Sequence, residues 1–154
     1  MDHDRSLSPA DEQAVRDLFG RLLGAWNARD AEAMAATVVE QATLIGFDGS
    51  EHTGRDIIAT EMARIFANHP TARYVWKVRG VIALGAEGAL LRAVVGMVPA
   101  GKTQLNPAVN AVQTLLAMRS DGVWRVVQMQ STPAQYHGRP EVAAALTREL
   151  QELV

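Results

Sequence analysis

Apolar residues recur at Val15, Leu18, Phe19, Leu22, Leu23 and Trp26, the i, i+3, i+4, i+7 spacing of one buried helix face. Ser8 and Pro9 precede this run, and Asp11 and Glu12 open it. A capping serine, a first-turn proline and two acids at the positive end of the helix dipole place its start at Pro9. Asn27-Ala28-Arg29 breaks the pattern, and Asp30 caps a second, alanine-rich helix reaching about Val38. Alanine is the strongest helix former, so even this short segment has local support. Residues 42–47 are a short apolar run, read as a strand, which Asp48-Gly49-Ser50 turns. Past Thr53-Gly54 the helical period returns over residues 55–68, until His69-Pro70 ends it.

Beyond Pro70 the period changes. Residues 73–84 alternate Tyr74, Trp76 and Val78 with Arg73, Lys77 and Arg79, the mark of a half-exposed strand. Further strands are predicted over 89–98, 109–119 and 123–132. Gly85-Ala86-Glu87-Gly88, a loop over 99–107 and a tight turn at Asp121-Gly122 join them. A helix rich in Ala, Leu and Glu follows over 141–153. Helices set apart from consecutive strands give an α+β fold. The expected architecture is a curved antiparallel sheet wrapped around the N-terminal helices, forming a cone with an internal pocket. The chain reads as one domain over residues 1–154, with a core about 9–132 and a C-terminal extension and helix about 133–154.

Composition narrows the chemistry. The 154 residues are 48% hydrophobic and 21% charged, with a net charge of -2. That is an ordinary globular balance with no field to attract nucleic acid or an acidic membrane. With no cysteine, disulfides, thiolate metal sites and cysteine nucleophiles are excluded. No helical His pair has metal-ligand spacing and no Gly-rich dinucleotide fingerprint is present, so no metal and no cofactor is expected. The polar start at Met1-Asp2-His3-Asp4-Arg5 leads into no apolar signal run, so the expected location is cytoplasmic.

The candidate chemistry is sparse. In the last strand Trp124, Val126, Gln128, Gln130 and Thr132 alternate onto one face, and Arg125, Val127, Met129 and Ser131 onto the other. Only one face can meet the core. Trp26, Tyr74 and Trp76 are either core packing or an aromatic pocket wall. Arg92, inside an apolar strand, faces a pocket anion, a partner subunit or solvent. Of the histidines, His52 follows a turn beside Glu51 and near Asp48, and is the leading candidate for a general base. His137 is a candidate for a pocket rim, His69 is read as structural at a helix end, and His3 lies in the terminal segment.

Three segments carry a resemblance: Trp26-Asn27-Ala28-Arg29-Asp30, Ala42-Thr43-Leu44 and Thr53-Gly54-Arg55-Asp56-Ile57-Ile58. With them the chain resembles the nuclear transport factor 2-like (cone-fold) superfamily in its SnoaL-like branch, over roughly residues 11–132. Asn106-Pro107-Ala108-Val109-Asn110 and the run from Ser131-Thr132-Pro133 to Arg139-Pro140-Glu141 are similar to the SgcJ/EcaC type. The resemblance implies a homodimer packed through the convex sheet face and an association with polyketide, including enediyne, antibiotic biosynthesis. It also implies that the Gln128, Gln130 and Thr132 face looks into the cone, joined by Gln113, so that neutral amides meet a hydrophobic, oxygenated ligand. It implies no single reaction. Set against a ketosteroid isomerase of the same fold, the base position falls near Ile45 or Gly46, the tyrosine near Leu22 and the donor acid near Gln113; none of these titrates. Two functions follow. One is a cofactor-independent cyclase, hydratase or isomerase that positions a reactive substrate. The other is a non-catalytic ligand-binding or accessory protein partnering a biosynthetic enzyme.

Overall fold

The structure is a computed structural model that describes residues 7–154; His3 lies outside them. The elements run α1 (Pro9–Asn27), α2 (Ala31–Ala36), β1 (Val38–Ile45), β2 (Glu51–Thr53), α3 (Arg55–Asn68), β3 (Arg73–Leu84) and β4 (Gly88–Val98). A single 3-10 turn (Pro107–Val109) then leads into β5 (Ala111–Ser120), β6 (Val123–Pro133) and α4 (Pro140–Gln151). The six strands form one curved, unclosed sheet in the order β2-β1-β6-β5-β4-β3. β3 to β6 make an antiparallel meander. β1 joins it parallel to β6, the one parallel pairing among the described residues.

The start of the chain folds as its pattern predicts. Ser8 Oγ accepts from the Asp11 N–H at 3.1 Å and Asp30 Oδ1 from the Ala33 N–H at 3.0 Å, so both N-caps are filled. Val15, Leu18, Phe19 and Leu22 of α1 are fully buried against the inner face of the sheet. α2 stops earlier than expected, at Ala36, and β1 starts earlier, at Val38. The Thr37 hydroxyl donates to Met34 O at 2.7 Å, and Thr37 O accepts from Val126 N at 2.8 Å. That bond to β6 captures the chain for the sheet before the alanine run is exhausted. The three-residue β2 was too short to carry a period.

Two β-bulges decide which residues face inward. In β6, Leu116 pairs with Gln128 but Ala117 pairs with Val126, leaving Val127 over. One extra residue reverses the alternation beyond it. Trp124 and Val126 face in; after the bulge Met129 and Ser131 do, and Gln128, Gln130 and Thr132 are turned outward. In β3, Val78 pairs with Ala93 and Gly80 with Arg92, with Arg79 the extra residue.

α4 lies on the outer face of the sheet. Its Leu146 and Leu150 pack on Val75, Val94, Val98 and Leu105. A Cβ at Gly96 would stand 2.9 Å from Leu105 Cδ2 and 3.2 Å from Leu150 Cδ1, so a larger residue here would push on both leucines where the helix approaches the strand. Glu149 locks the helix: its carboxylate accepts from Arg79 at 2.6 and 2.7 Å and sits 3.2 Å from Lys77.

Candidate functional site

The cone encloses a cavity of about 450 Å³ between the helices and the inner face of the sheet, within the usual size of small-molecule sites. Its walls are mostly apolar. α1 contributes Leu22, Leu23 and Trp26. Four methionines, Met34, Met62, Met97 and Met129, converge on it from α2, α3, β4 and β6. Thioether side chains are flexible and polarizable, so this wall adapts to the shape of what it holds.

The segment 26–30 builds one side of the cavity by local hydrogen bonding. Trp26 Nε1 donates to Ala72 O at 2.8 Å. The Asn27 amide acts as a short strand edge: Nδ2 donates to Tyr74 O at 3.0 Å and Oδ1 accepts from Tyr74 N at 2.7 Å. The Arg29 guanidinium reaches the Phe66 and His69 carbonyls and the Thr71 hydroxyl, satisfying acceptors left open where α3 ends. Trp26 and Tyr74 are thereby held 5.8 Å apart, tilted by 56°, with both rings on the cavity.

The neutral polar groups of the cavity are few. Tyr74 and Ser131 line it. Behind them stands Gln113, fully buried and paired across the strands with Ser131. Gln113 Nε2 donates to Ser131 Oγ at 3.1 Å. Among the described residues, Gln113 Oε1 has no hydrogen-bond partner. Burial pushes the Tyr74 phenol up from its ordinary pKa, against a smaller downward influence of the adjacent Gln113 amide. The phenol is a neutral donor throughout the physiological range.

The mouth is polar and exposed. Asp48, Ser50, His52 and Arg64 surround it. The Ser50 N–H, 3.0 Å from Asp48 Oδ1, and the Ser50 side chain hold the Asp48 carboxyl below its usual pKa, with His52 a lesser cause. The Arg64 guanidinium, 2.7 Å from Glu61 Oε2, does the same for Glu61, again with a small part from His52. His52 therefore sits near two ionised carboxylates at the entrance. No group of three or more His, Asp or Glu among the described residues is placed to hold a metal ion.

The sequence-derived candidates separate. Trp26, Tyr74 and His52 line the cavity, and Gln113 backs it. Trp76 instead packs edge-on to Phe19, with ring centroids 6.4 Å apart, and belongs to the core. The inward orientation expected of Gln128, Gln130 and Thr132 is corrected: the bulge at Val127 turns them to the outer face, where Gln128 Nε2 donates to Gln130 Oε1 at 2.8 Å. Arg92 is exposed on that face, in register with Gly80 and Thr114. His137 is exposed beside Tyr136, which packs toward α4, and does not line the cavity. His69 ends α3 and gives its carbonyl to Arg29. Asn110 is buried and donates to Thr147 Oγ1 at 3.0 Å, tying the loop before β5 to α4. Ser131 and the methionines were missed as site residues; Ser131 stood on the strand face opposite the glutamines. Leu22, Ile45 and Gly46, the positions matched to isomerase chemistry, do line the cavity and carry no ionisable group.

Residues 15–135 match the SnoaL-like domain family. No curated protein is significantly similar in sequence. Among solved structures, a domain of unknown function with a cystatin-like fold from Nostoc punctiforme is 24% identical and has a TM-score of 0.79, covering 90% of this chain and 86% of that chain. An NTF-2 like protein of unknown function from Shewanella oneidensis is 21% identical at a TM-score of 0.61, covering 81% and 99%. A ketosteroid isomerase-like protein from Erwinia carotovora atroseptica is 17% identical at a TM-score of 0.64, covering 83% and 99%. At these identities the likeness is one of fold.

Proposed function

The chain belongs to the SnoaL-like domain family, on the nuclear transport factor 2-like cone fold, and we propose that it is a small-molecule pocket protein for a hydrophobic, oxygenated ligand. The cavity carries this reading. It has the volume of a ligand site, mostly apolar walls and a small neutral polar cluster. The ligand we favour is polyketide-derived, from secondary metabolism in the cytoplasm, as the narrower resemblance to SgcJ/EcaC proteins implies. Chemistry in the cavity is cofactor-independent: cyclisation, hydration or isomerisation of a substrate made reactive by its own structure. His52 at the mouth is the proton acceptor. A carrier or accessory protein with the same cavity is the second reading, favoured by the absence of ionisable side chains at Leu22, Ile45 and Gly46.

The working form is a homodimer through the part of the outer sheet face that α4 leaves open. Leu84, Leu116, Met118 and Val123 are 37–52% exposed there, and burying such a patch drives association. Size-exclusion chromatography with light scattering tests this, and a monomer at micromolar concentration overturns it. For the pocket, native mass spectrometry of the protein as purified, followed by calorimetric titration with 2-isopropenylnaphthalene, is the direct test. A copurified organic ligand or one-to-one binding of the hydrocarbon supports the reading. An empty protein that binds neither this hydrocarbon nor its ketone analogue refutes it.

A further inference from the structure

We propose that the cavity is built for a flat, conjugated carbonyl compound whose carbonyl oxygen is bound by the Ser131 hydroxyl, with Gln113 as the positioning residue that makes this hydroxyl a donor. The inference rests on the pocket reading and adds to it the ligand's functional group and its orientation.

A serine hydroxyl has one hydrogen to give and two lone pairs to fill. The Gln113 amide already fills one: its Nε2 donates to Ser131 Oγ at 3.1 Å. The Ser131 hydrogen is then turned away from Gln113, on a side chain that lines the cavity. A ligand acceptor completes the arrangement. Burial fixes the place of the Gln113 side chain, and the orientation of its amide decides the role of the hydroxyl. Gln113 is fully buried, in cross-strand register with Ala93 on one side and Ser131 on the other. With its amide reversed, Oε1 would accept from Ser131 and the hydroxyl would present no hydrogen to the cavity. Beside Ser131 the Tyr74 phenol is a second neutral donor. Neutral donors without a charged partner match a ketone, ester or quinone oxygen better than a carboxylate, whose burial needs a compensating cation.

The walls specify the rest of the molecule. The four methionine thioethers and the Trp26 and Tyr74 rings favour a polarizable π-system through sulfur–aromatic and ring–ring contacts. Ser131 and Tyr74 are half-buried, whereas Asp48 and Arg64 stand exposed at the entrance, so the carbonyl end of the ligand lies toward Ser131. Polar substituents at the other end of the ligand meet these groups.

The test compares two isosteric probes, 2-acetylnaphthalene and 2-isopropenylnaphthalene, which differ only in C=O against C=CH2. Affinities are measured by calorimetry for the wild type, Ser131→Ala, Ser131→Thr and Gln113→Leu. The Ser131→Ala variant is expected to lose about fivefold in affinity for the ketone relative to the hydrocarbon, the worth of one neutral hydrogen bond. Ser131→Thr, which keeps a hydroxyl, is expected to restore most of it. The infrared carbonyl band of bound, 13C-labelled 2-acetylnaphthalene should stand at lower frequency in the wild type than in Ser131→Ala. In Gln113→Leu it should split or broaden as the hydroxyl loses its fixed direction. Far-ultraviolet circular dichroism shows that each variant is folded. If the hydrocarbon binds but the ketone preference and the carbonyl band ignore Ser131→Ala, the carbonyl assignment fails and the pocket stands. If neither probe binds the wild type, both readings fail.

Discussion

Replacing Gln113 by leucine should stabilise the unliganded protein. Gln113 is fully buried in β5 between inward-facing Ala111 and Leu115, and its β4 neighbour in register is Ala93. Its Nε2 donates to Ser131, its amide lies beside the Tyr74 phenol, and Oε1 is unpartnered among the described residues. A buried unsatisfied acceptor costs about 1–3 kcal/mol, and the neutral bond to Ser131 returns only about 0.5–1.5 kcal/mol. Leucine has a similar volume, removes both terms and adds buried hydrocarbon. Ser131, which lines the cavity, exchanges its lost donor for water. The net expectation is a gain of about 1–2 kcal/mol. For a chain of this size that raises the melting temperature by about 2–8 °C. Differential scanning calorimetry without ligand measures it. A lowered melting temperature would refute the reasoning, because it would mean that the orphan acceptor is satisfied or that Gln113 organises the core rather than the site.

Three further outcomes follow from named contacts. Asn27→Ala removes both bonds that clasp the Tyr74 backbone; it should cost about 2–3 kcal/mol in urea titration and weaken binding of naphthalene probes as Tyr74 shifts. Arg79, then Lys77, hold the Glu149 carboxyl at about 2, against an ordinary 4.5. A folded pKa below the unfolded one contributes stability that is complete above about pH 4.5 and is lost as the pH falls toward 2. In this partly exposed pair it amounts to about 1 kcal/mol after solvent screening, so Glu149→Gln should be less stable than wild type at pH 6 and equal to it near pH 2. Peroxide should oxidise half-buried Met97 at the cavity in the empty protein and spare it in the protein that holds 2-acetylnaphthalene. Peptide mass spectrometry separates the two, and equal oxidation of Met97 in both states would place the ligand elsewhere.

The helices and the meander were legible because their signals are local. Ser8-Pro9, Asp30 and His69-Pro70 mark helix ends by chemistry that acts within a turn, and the structure places α1 and α3 where these residues set them. The site was only half legible, for a nonlocal reason. Trp26 and Tyr74 could be assigned to an inner surface from the apolar faces they share. The choice between the Gln128 and Met129 faces of β6 depended on a bulge fixed by pairing with β5 and β1. Period-2 counting from Trp124 is correct up to Val126 and inverted beyond Val127. No residue type in Arg125-Val126-Val127-Gln128 announces the extra residue, since neither glycine nor proline occurs there. Likewise β1 pairs Val38 with Val126 and Thr43 with Gln128, five residues against two. That irregularity belongs to the partner strand as much as to the sequence of β1.

The segments that identify the family mainly make the frame of the cavity. Asn27 substitutes for a strand edge, Arg29 closes α3, Asp30 starts α2, and Arg55 holds the carbonyl of Val38 at 2.8 Å. All of these are stabilising contacts, satisfied within the chain. Gln113 has the opposite character: it is fully buried with its Oε1 unpartnered among the described residues, and a leucine there is expected to stabilise the empty protein. A side chain that lowers the stability of the empty protein is explained by what it does for the occupied one. The amide fixes the direction of the Ser131 hydroxyl, and that direction matters only to an acceptor inside the cavity. The family frame therefore accounts for the existence of the cavity, and Gln113 and Ser131 for what this chain puts in it.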